Sequence, residues 1–202
     1  MHEAGLDSYL SQLALHYTKA GPAGDLAKAA EYAGRAGETA YAVCAYADAA
    51  CHWRAALKLA RPSDRRLRAQ LLERLGDASL RSAATPVEAA RHLQASLKLY
   101  TELNQEADTA RVHARLVTVI SLLSMNPATS DVGQAVSHSR RAEKLLAARA
   151  DHSAEGELLI GEALVAHAQF RTKDGLAASE RAMGIGQLLD NAEIWCQAAA
   201  FH

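Results

Sequence analysis

The stretch Asp48-Ala49-Ala50-Cys51-His52-Trp53-Arg54-Ala55-Ala56-Leu57-Lys58-Leu59 aligns without gaps on Glu88-Ala89-Ala90-Arg91-His92-Leu93-Gln94-Ala95-Ser96-Leu97-Lys98-Leu99. Most of the aligned positions are identical or conservatively changed. In both copies an alanine is followed four residues later by a large apolar residue, and three residues after that by a small one. Residues three and four apart lie on one face of an α-helix. The pattern therefore predicts a helix that presents small side chains to a neighbouring helix, which can then approach closely.

The same spacing occurs five times along the chain, and we interpret each copy as the second helix of an antiparallel hairpin. A single hairpin cannot cover its own apolar face, so successive hairpins are expected to stack and bury a continuous core. The five copies are Ala29, Ala33, Ala36; Ala49, Trp53, Ala56; Ala89, Leu93, Ser96; Ala135, Ser139, Ala142; and Ala178, Ala182, Ile185.

Composition and periodicity both favour an all-α chain. Half of the 202 residues are hydrophobic and 22% are charged, as in globular proteins. Alanine is abundant and loses no side-chain entropy in a helix. Apolar residues recur at three- and four-residue spacing, and no segment alternates as a strand would. The expected helices are 6–20, 25–36, 38–46, 48–60, 64–82, 86–102, 104–124, 131–149, 153–173, 175–189 and 191–202.

Short breaks rich in glycine, proline and aspartate separate these helices. Thr85-Pro86-Val87-Glu88 has the pattern of a helix start, with a capping hydroxyl, a proline at the first position and a glutamate that can reach back. Short connections favour antiparallel neighbours. We therefore predict one domain, 1–202, with the fold of a right-handed α-solenoid of about five antiparallel helix hairpins. The other breaks are expected at 21–24, 61–63, 126–127, 151–153, 174–175 and 190–191.

Leu72-x-x-Leu75-Gly76, followed by Ala89-x-x-x-Leu93, resembles the tetratricopeptide pattern. In that family the first helix of each pair lines a concave groove that receives a peptide, a protein segment or a small effector. The resemblance implies that the contact positions in this chain are Gln70, Glu73, Asp77 and Arg81. The positions expected to pack the repeats together are Ala29, Ala49, Trp53, Ala56, Leu75, Gly76, Ala89, Leu93, Ala135, Ala142 and Ala178.

The first sixty residues are similar to helical-repeat regions of large bacterial ATP-dependent regulators of the MalT-like and LuxR-type kind. The similarity implies a non-catalytic binding module of a signalling or transcriptional regulator, in which a nucleotide-binding module precedes the repeats. This chain has no P-loop, so we expect it to be a fragment of a longer protein. The matching residues are Leu15, Tyr17, Ala29-Ala30-Glu31-Tyr32, Arg35-Ala36-Gly37-Glu38 and Ala45-Tyr46.

Charge and cysteine usage restrict the partners and the compartment. A formal net charge of −1 gives no long-range field that would draw the protein onto nucleic acid or an anionic membrane. Cys44, Cys51 and Cys196 have no C-x-x-C spacing, which argues against a disulfide framework or a zinc site. Cys44 and Cys51 lie in alanine-rich stretches that are expected to be helical, where a free thiol usually acts as a small apolar side chain. No apolar run approaches a membrane span. We expect a cytoplasmic protein without direct nucleic-acid or membrane binding.

Catalytic chemistry is not indicated by any motif. Asp48/His52 and Glu88/His92 are each four residues apart on an expected helix, where a carboxylate can orient an imidazole. Their recurrence at equivalent repeat positions favours a surface or interhelix hydrogen bond over a metal or acid–base site. Gly184-Ile185-Gly186 follows no strand, so we interpret its glycines as easing a close helix contact.

We therefore expect no enzyme activity, no metal and no cofactor. Two alternatives stay open. One is a structural or dimerisation spacer, and the other is a helical enzyme whose site assembles from scattered groups such as Asp48, His52, Glu88 and His92.

Overall fold

The computed structural model describes residue 12 and residues 25–82, 86–124, 131–148 and 150–201. Within these ranges the chain forms nine α-helices and no β-strand, which confirms the predicted all-α class. None of these helices combines the length and apolar character needed to cross a bilayer. The helices are α1 (Leu26–Ala42), α2 (Tyr46–Leu59), α3 (Arg65–Arg81), α4 (Pro86–Glu102), α5 (Glu106–Ser124), α6 (Val132–Leu146), α7 (His152–Ala168), α8 (Thr172–Leu188) and α9 (Ala192–Ala199).

Several predicted features lie outside the described residues. They are the helix over 6–20, the break at 21–24, the capping residue Thr85 and the break at 126–127.

The chain divides into two compact units, residues 1–99 and 100–202. In the first unit α2 packs against both α1 and α3, and its core gathers Trp53, Leu71 and Leu75 among alanines. In the second unit α7 packs against α5, α6, α8 and α9. Leu159, Ile160 and Ala182 belong to the core there. Both units thus bury small side chains between neighbouring helices.

Two glycines that were expected to break helices lie inside them instead. Helices were predicted over 25–36 and 38–46, but α1 runs without interruption through Gly37 to Ala42. Asp174-Gly175 was likewise predicted as a break, whereas Gly175 is a buried residue of α8. A Cβ at Gly37 would overlap the ring of Trp53. The absence of a side chain at Gly37 is therefore required where α1 packs against α2. The helix tolerates the conformational cost of a glycine at this position.

Four connections between helices have the same type of turn, and none of these turns contains a glycine. Cys44, Asn104, Phe170 and Asp190 have φ of 59°, 53°, 57° and 49°, in the left-handed region. In each turn the next N–H donates to the carbonyl five residues earlier, at 2.8–3.0 Å, as in a Schellman motif. The following helix begins one residue later. The same turn therefore makes the α1–α2, α4–α5, α7–α8 and α8–α9 connections.

The alanine-marked repeat positions are buried. Ala29, Ala49, Ala89 and Ala135 have no measurable exposure, and Ala178 is 9% exposed. Two copies lie on α1 and α2, which pack against each other. The spacing thus marks buried helix faces, and the expectation that every copy marks the second helix of a pair does not hold. The remaining predicted packing positions, also buried, are Trp53, Ala56, Leu75, Gly76, Leu93 and Ala142.

Glycine contacts set the closest approaches between helices. A Cβ at Gly76 would lie 2.6 Å from Leu93 Cγ, and Leu93 is equivalent in the repeat to Trp53, which faces Gly37. In the second unit, a Cβ at Gly186 would lie 2.7 Å from the Trp195 amide nitrogen, whereas Gly184 has no neighbour within 4 Å. Of the two glycines predicted to ease a helix contact, only Gly186 does so.

Replacing Gly37 with alanine should lower the free energy of unfolding by about 1–3 kcal/mol, because the new methyl group overpacks the Trp53 contact. The matched control is Gly34→Ala on the same helix, where an added Cβ meets nothing within 4 Å. That substitution should raise stability by roughly 0.5–1 kcal/mol through helix propensity alone. Urea unfolding of both variants measures the difference. Equal effects at the two positions would contradict the steric account.

Candidate functional site

The four predicted contact residues lie on α3 and point largely into the first unit. Gln70 is half-buried and Glu73 is only 5% exposed. The side chains of Asp77 and Arg81 are 14% and 20% exposed. The structure thus places all four on one helix but gives none of them a fully exposed side chain. Their role in binding a partner stays a prediction.

Asp77 and Arg81 belong to an aromatic network that joins three helices. The Tyr41 hydroxyl on α1 donates to Asp77 Oδ2, and Arg81 Nε donates to Asp77 Oδ1 at 3.4 Å. The Arg81 guanidinium lies 5.6 Å from the ring centroid of Tyr41 and 5.8 Å from that of Tyr46, within cation–π range. Sequence reasoning missed both tyrosines because no helical spacing links them to α3.

A second arginine of α3 makes the same kind of contact. Arg74 forms an ion pair with Glu38 of α1, and its guanidinium lies 5.7 Å from the centroid of the Trp53 ring. Trp53 is buried, and its indole N–H donates to the Gly34 carbonyl at 3.2 Å. Through such contacts, charged residues of α3 stabilise the packing of α1 and α2. The same residues also face solvent.

The scattered acid–histidine pairs are not assembled into a metal site. Within the described ranges, no three His, Cys, Asp or Glu residues come together to hold a metal ion. Burial, together with the nearby Arg91 charge, lowers the pKa of His92, and the His92 Nδ1 atom is buried without a hydrogen-bond partner. The three cysteines are free and exposed, so they do not have the packing role expected of those in helices.

The second unit contains a groove between α6, α7 and the start of α8, which we call the charged groove. It consists of a cleft of about 430 Å³ and an adjoining cleft of about 330 Å³, which share Glu143, Glu162 and Arg181. Val136, Val165, Ala166, Ala177 and Ala178 supply apolar lining. The other charged residues of the two clefts are Arg140, Arg171, Asp174, Asp151 and Glu155.

Glu162 is a half-buried carboxyl group of the charged groove. The Ser139 hydroxyl on α6 donates to Glu162 Oε1 at 2.7 Å. Burial raises the pKa of Glu162, and the nearby Glu143 carboxylate raises it further, although the Ser139 hydrogen bond and Arg181 oppose this. The carboxylate of exposed Glu143 therefore lies near the half-buried Glu162 carboxyl group, an arrangement that favours the approach of a cation.

Charge is unevenly distributed along the charged groove. Arg140 and Arg171 line only the larger cleft, whereas Asp151 and Glu155 line only the smaller one. Arg171 Nη1 donates to Asp174 Oδ2 at 2.8 Å, so Arg171 is positioned at the N-terminus of α8. No sequence motif reveals this site, because its residues come from three helices separated by variable distances along the chain.

A histidine pair lies on α5 and α6 in the same unit, with His113 buried and His138 half-buried. His113 Nδ1 and His138 Nδ1 are 2.7 Å apart, a hydrogen bond in which one imidazole donates and the other accepts. Burial lowers the pKa of His113 to about 4, and His138 and Arg141 contribute in the same direction. Burial and Arg141 also lower the pKa of His138. Both imidazoles are therefore held in their neutral forms at neutral pH.

The sequence matches no model of a known protein family and no curated protein. Among solved structures, the fold is similar to that in the crystal structure of BtubC (BKLC) from P. vanneervenii, with a TM-score of 0.64 and 14% identity. The match covers 96% of this chain and 81% of that one. At this identity, the likeness concerns the fold alone.

Because the pKa values of both histidines are lowered in the folded protein, we expect the free energy of unfolding to fall in acid. Because the folded pKa of His113 is about 4 and the unfolded value is near 6.5, the unfolded chain binds more protons between these pH values. The contribution of His113 to the free energy of unfolding should therefore be constant above about pH 6.5 and fall by roughly 2–3 kcal/mol as the pH decreases to about 4. Urea unfolding at several pH values measures this loss.

His113→Gln should reduce the slope over that window, because one of the two imidazoles that gain a proton on unfolding is gone. The matched control replaces exposed His167 with glutamine and should keep the wild-type slope. An unchanged slope in His113→Gln would show that the acid sensitivity has another origin.

Proposed function

We propose that the protein is a tetratricopeptide-like helical repeat module that binds a segment of a partner protein and does not catalyse a reaction. The repeated turn, the buried alanine positions and the glycine contacts support a right-handed α-solenoid of about five antiparallel hairpins. The likeness to BtubC in fold is consistent with that architecture. Residues 1–202 then form one repeat domain.

The charged groove is the observation on which the binding function rests. Its two adjoining clefts, of about 430 and 330 Å³, combine apolar lining with charged side chains of both signs. Apolar surface contributes binding free energy, and charged side chains determine which ligand fits and in which orientation. An extended peptide segment can use both, because its successive side chains reach different parts of the groove.

The cellular setting follows from the resemblance to MalT-like and LuxR-type regulators. In that setting the chain is a fragment of a longer cytoplasmic regulator, in which repeats receive a signal and other modules act on it. Its near-neutral net charge gives no general attraction to nucleic acid or to membranes. The proposed partner is a protein segment, and no cofactor is part of the proposal.

A steric block of the charged groove tests the proposal. The probe is a random dodecapeptide display library, from which peptides are selected on the wild-type protein and remeasured in solution by fluorescence polarisation. Ala177 is exposed and lines the groove, so Ala177→Trp should fill it without disturbing the core and weaken binding by roughly tenfold or more. Exposed Ala55 of α2 supplies the matched control, Ala55→Trp, which should bind as the wild type does.

Either of two results would contradict the proposal: no peptide enriched over a support without protein, or equal binding by Ala177→Trp and the wild type. In the second case, substitution of half-buried Gln70 with lysine asks whether the peptides bind at the predicted α3 positions. In the first case, self-association in sedimentation would favour a dimerisation spacer.

A further inference from the structure

Building on the proposed binding function, we infer that the charged groove recognises a protein segment with a basic side chain placed between Glu143 and Glu162 and an acidic side chain near Arg140 and Arg171. The inference follows from the arrangement of charge along the groove. It gives the partner segment a chemical signature, which is a lysine or arginine and an aspartate or glutamate held apart on an extended chain.

Glu143 and Glu162 define the position of the basic side chain. Glu143 projects from α6 and Glu162 from α7, and each lines both clefts. Burial raises the pKa of Glu162, and the nearby Glu143 carboxylate raises it further. Arg181 moderates the repulsion, but its side chain is 66% exposed and lies 3.5 Å from Glu155, away from a direct bond to this pair. A cation from a ligand would relieve the remaining repulsion.

An ammonium or guanidinium group fits this position better than a metal ion does. Within the described part of the chain no third His, Cys, Asp or Glu joins the two carboxylates in a metal-binding cluster. Ca²⁺ takes six to eight oxygen ligands, and Ser139 already donates to one oxygen of Glu162. The methylene groups of a lysine or arginine can also pack on the apolar lining at Val165 and Ala166, as such side chains do elsewhere.

Arg140 and Arg171 define the other end. Both line the larger cleft only, so positive charge is concentrated away from Asp151 and Glu155, which line the smaller cleft. Asp174, which also lines only the larger cleft, forms an exposed ion pair with Arg171 at 2.8 Å and offsets part of its charge, so Arg140 supplies the rest of the positive charge at this end. A segment whose acidic and basic side chains match this order gains favourable contacts at both ends, and one with the same sign at both ends meets repulsion at one of them.

The test starts from the peptides selected on the wild-type protein. We expect them to be enriched in lysine or arginine together with aspartate or glutamate. Replacing the conserved basic residue of one selected peptide with norleucine should weaken binding to the wild type by roughly tenfold. The same replacement should change binding to Glu143→Gln/Glu162→Gln by less than about threefold, because the charge partners are gone.

The double variant is expected to fold, since it removes a repulsion between like charges. Glu31 is an exposed residue of α1, and Glu31→Gln is the matched control, which should retain the full tenfold effect. Binding of the basic peptide should tighten as the pH rises and Glu162 loses its proton, because burial and Glu143 raise the pKa of Glu162 and Ser139 and Arg181 lower it. The double variant should lack this part of the pH dependence.

The outcomes separate this inference from the proposed function. If Ala177→Trp blocks the selected peptides but the norleucine replacement has no effect, the groove binds a segment by other contacts and the charge assignment is wrong. If Ala177→Trp has no effect, both claims fail together. Saturable Ca²⁺ binding that the double variant abolishes, without peptide recognition, would assign the carboxylates to a metal ion and overturn the inference.

Discussion

This structure depends on close contacts in which a glycine of one helix faces a bulky residue of the neighbouring helix. Gly37 accepts the ring of Trp53, and Gly76 accepts Leu93 at an equivalent repeat position. Buried alanines maintain the close approach along the rest of each contact. Because interiors are packed at nearly crystalline density, a single added methyl group at such a position must displace a neighbour. Small residues therefore fix the spacing of the helices.

The polar features of the two units follow from this spacing. In the first unit, Arg74 and Arg81 extend from α3 to the aromatic rings of α1 and α2, since the helices are close enough for cation–π contact. In the second unit, α6 and α7 bring Ser139 into hydrogen-bond distance of Glu162. Ser139, the middle position of the fourth repeat copy, thus supplies a hydroxyl to the charged groove.

Sequence reasoning predicted the all-α class and the positions that are buried, because helical periodicity depends on neighbours only three or four residues away. Boundaries were less predictable. Gly37 and Gly175 have the composition of breaks, and only the opposing helix reveals that Gly37 serves a close contact. Conversely, the turns at Cys44 and Phe170 lack the glycine that usually marks a left-handed residue. The charged groove escaped prediction altogether, since it gathers residues from α6, α7 and α8 that share no spacing.

A double-mutant cycle between Gly37→Ala and Trp53→Ala tests the central constraint most directly. Truncation to alanine removes the ring atoms that the new methyl group would overlap, so the cost of Gly37→Ala should fall by at least about 1 kcal/mol in the Trp53→Ala background. The hydrogen bond from Trp53 to Gly34 is lost on one whole side of the cycle and cancels from the coupling energy. A Gly37→Ala cost that is the same in both backgrounds would contradict the account.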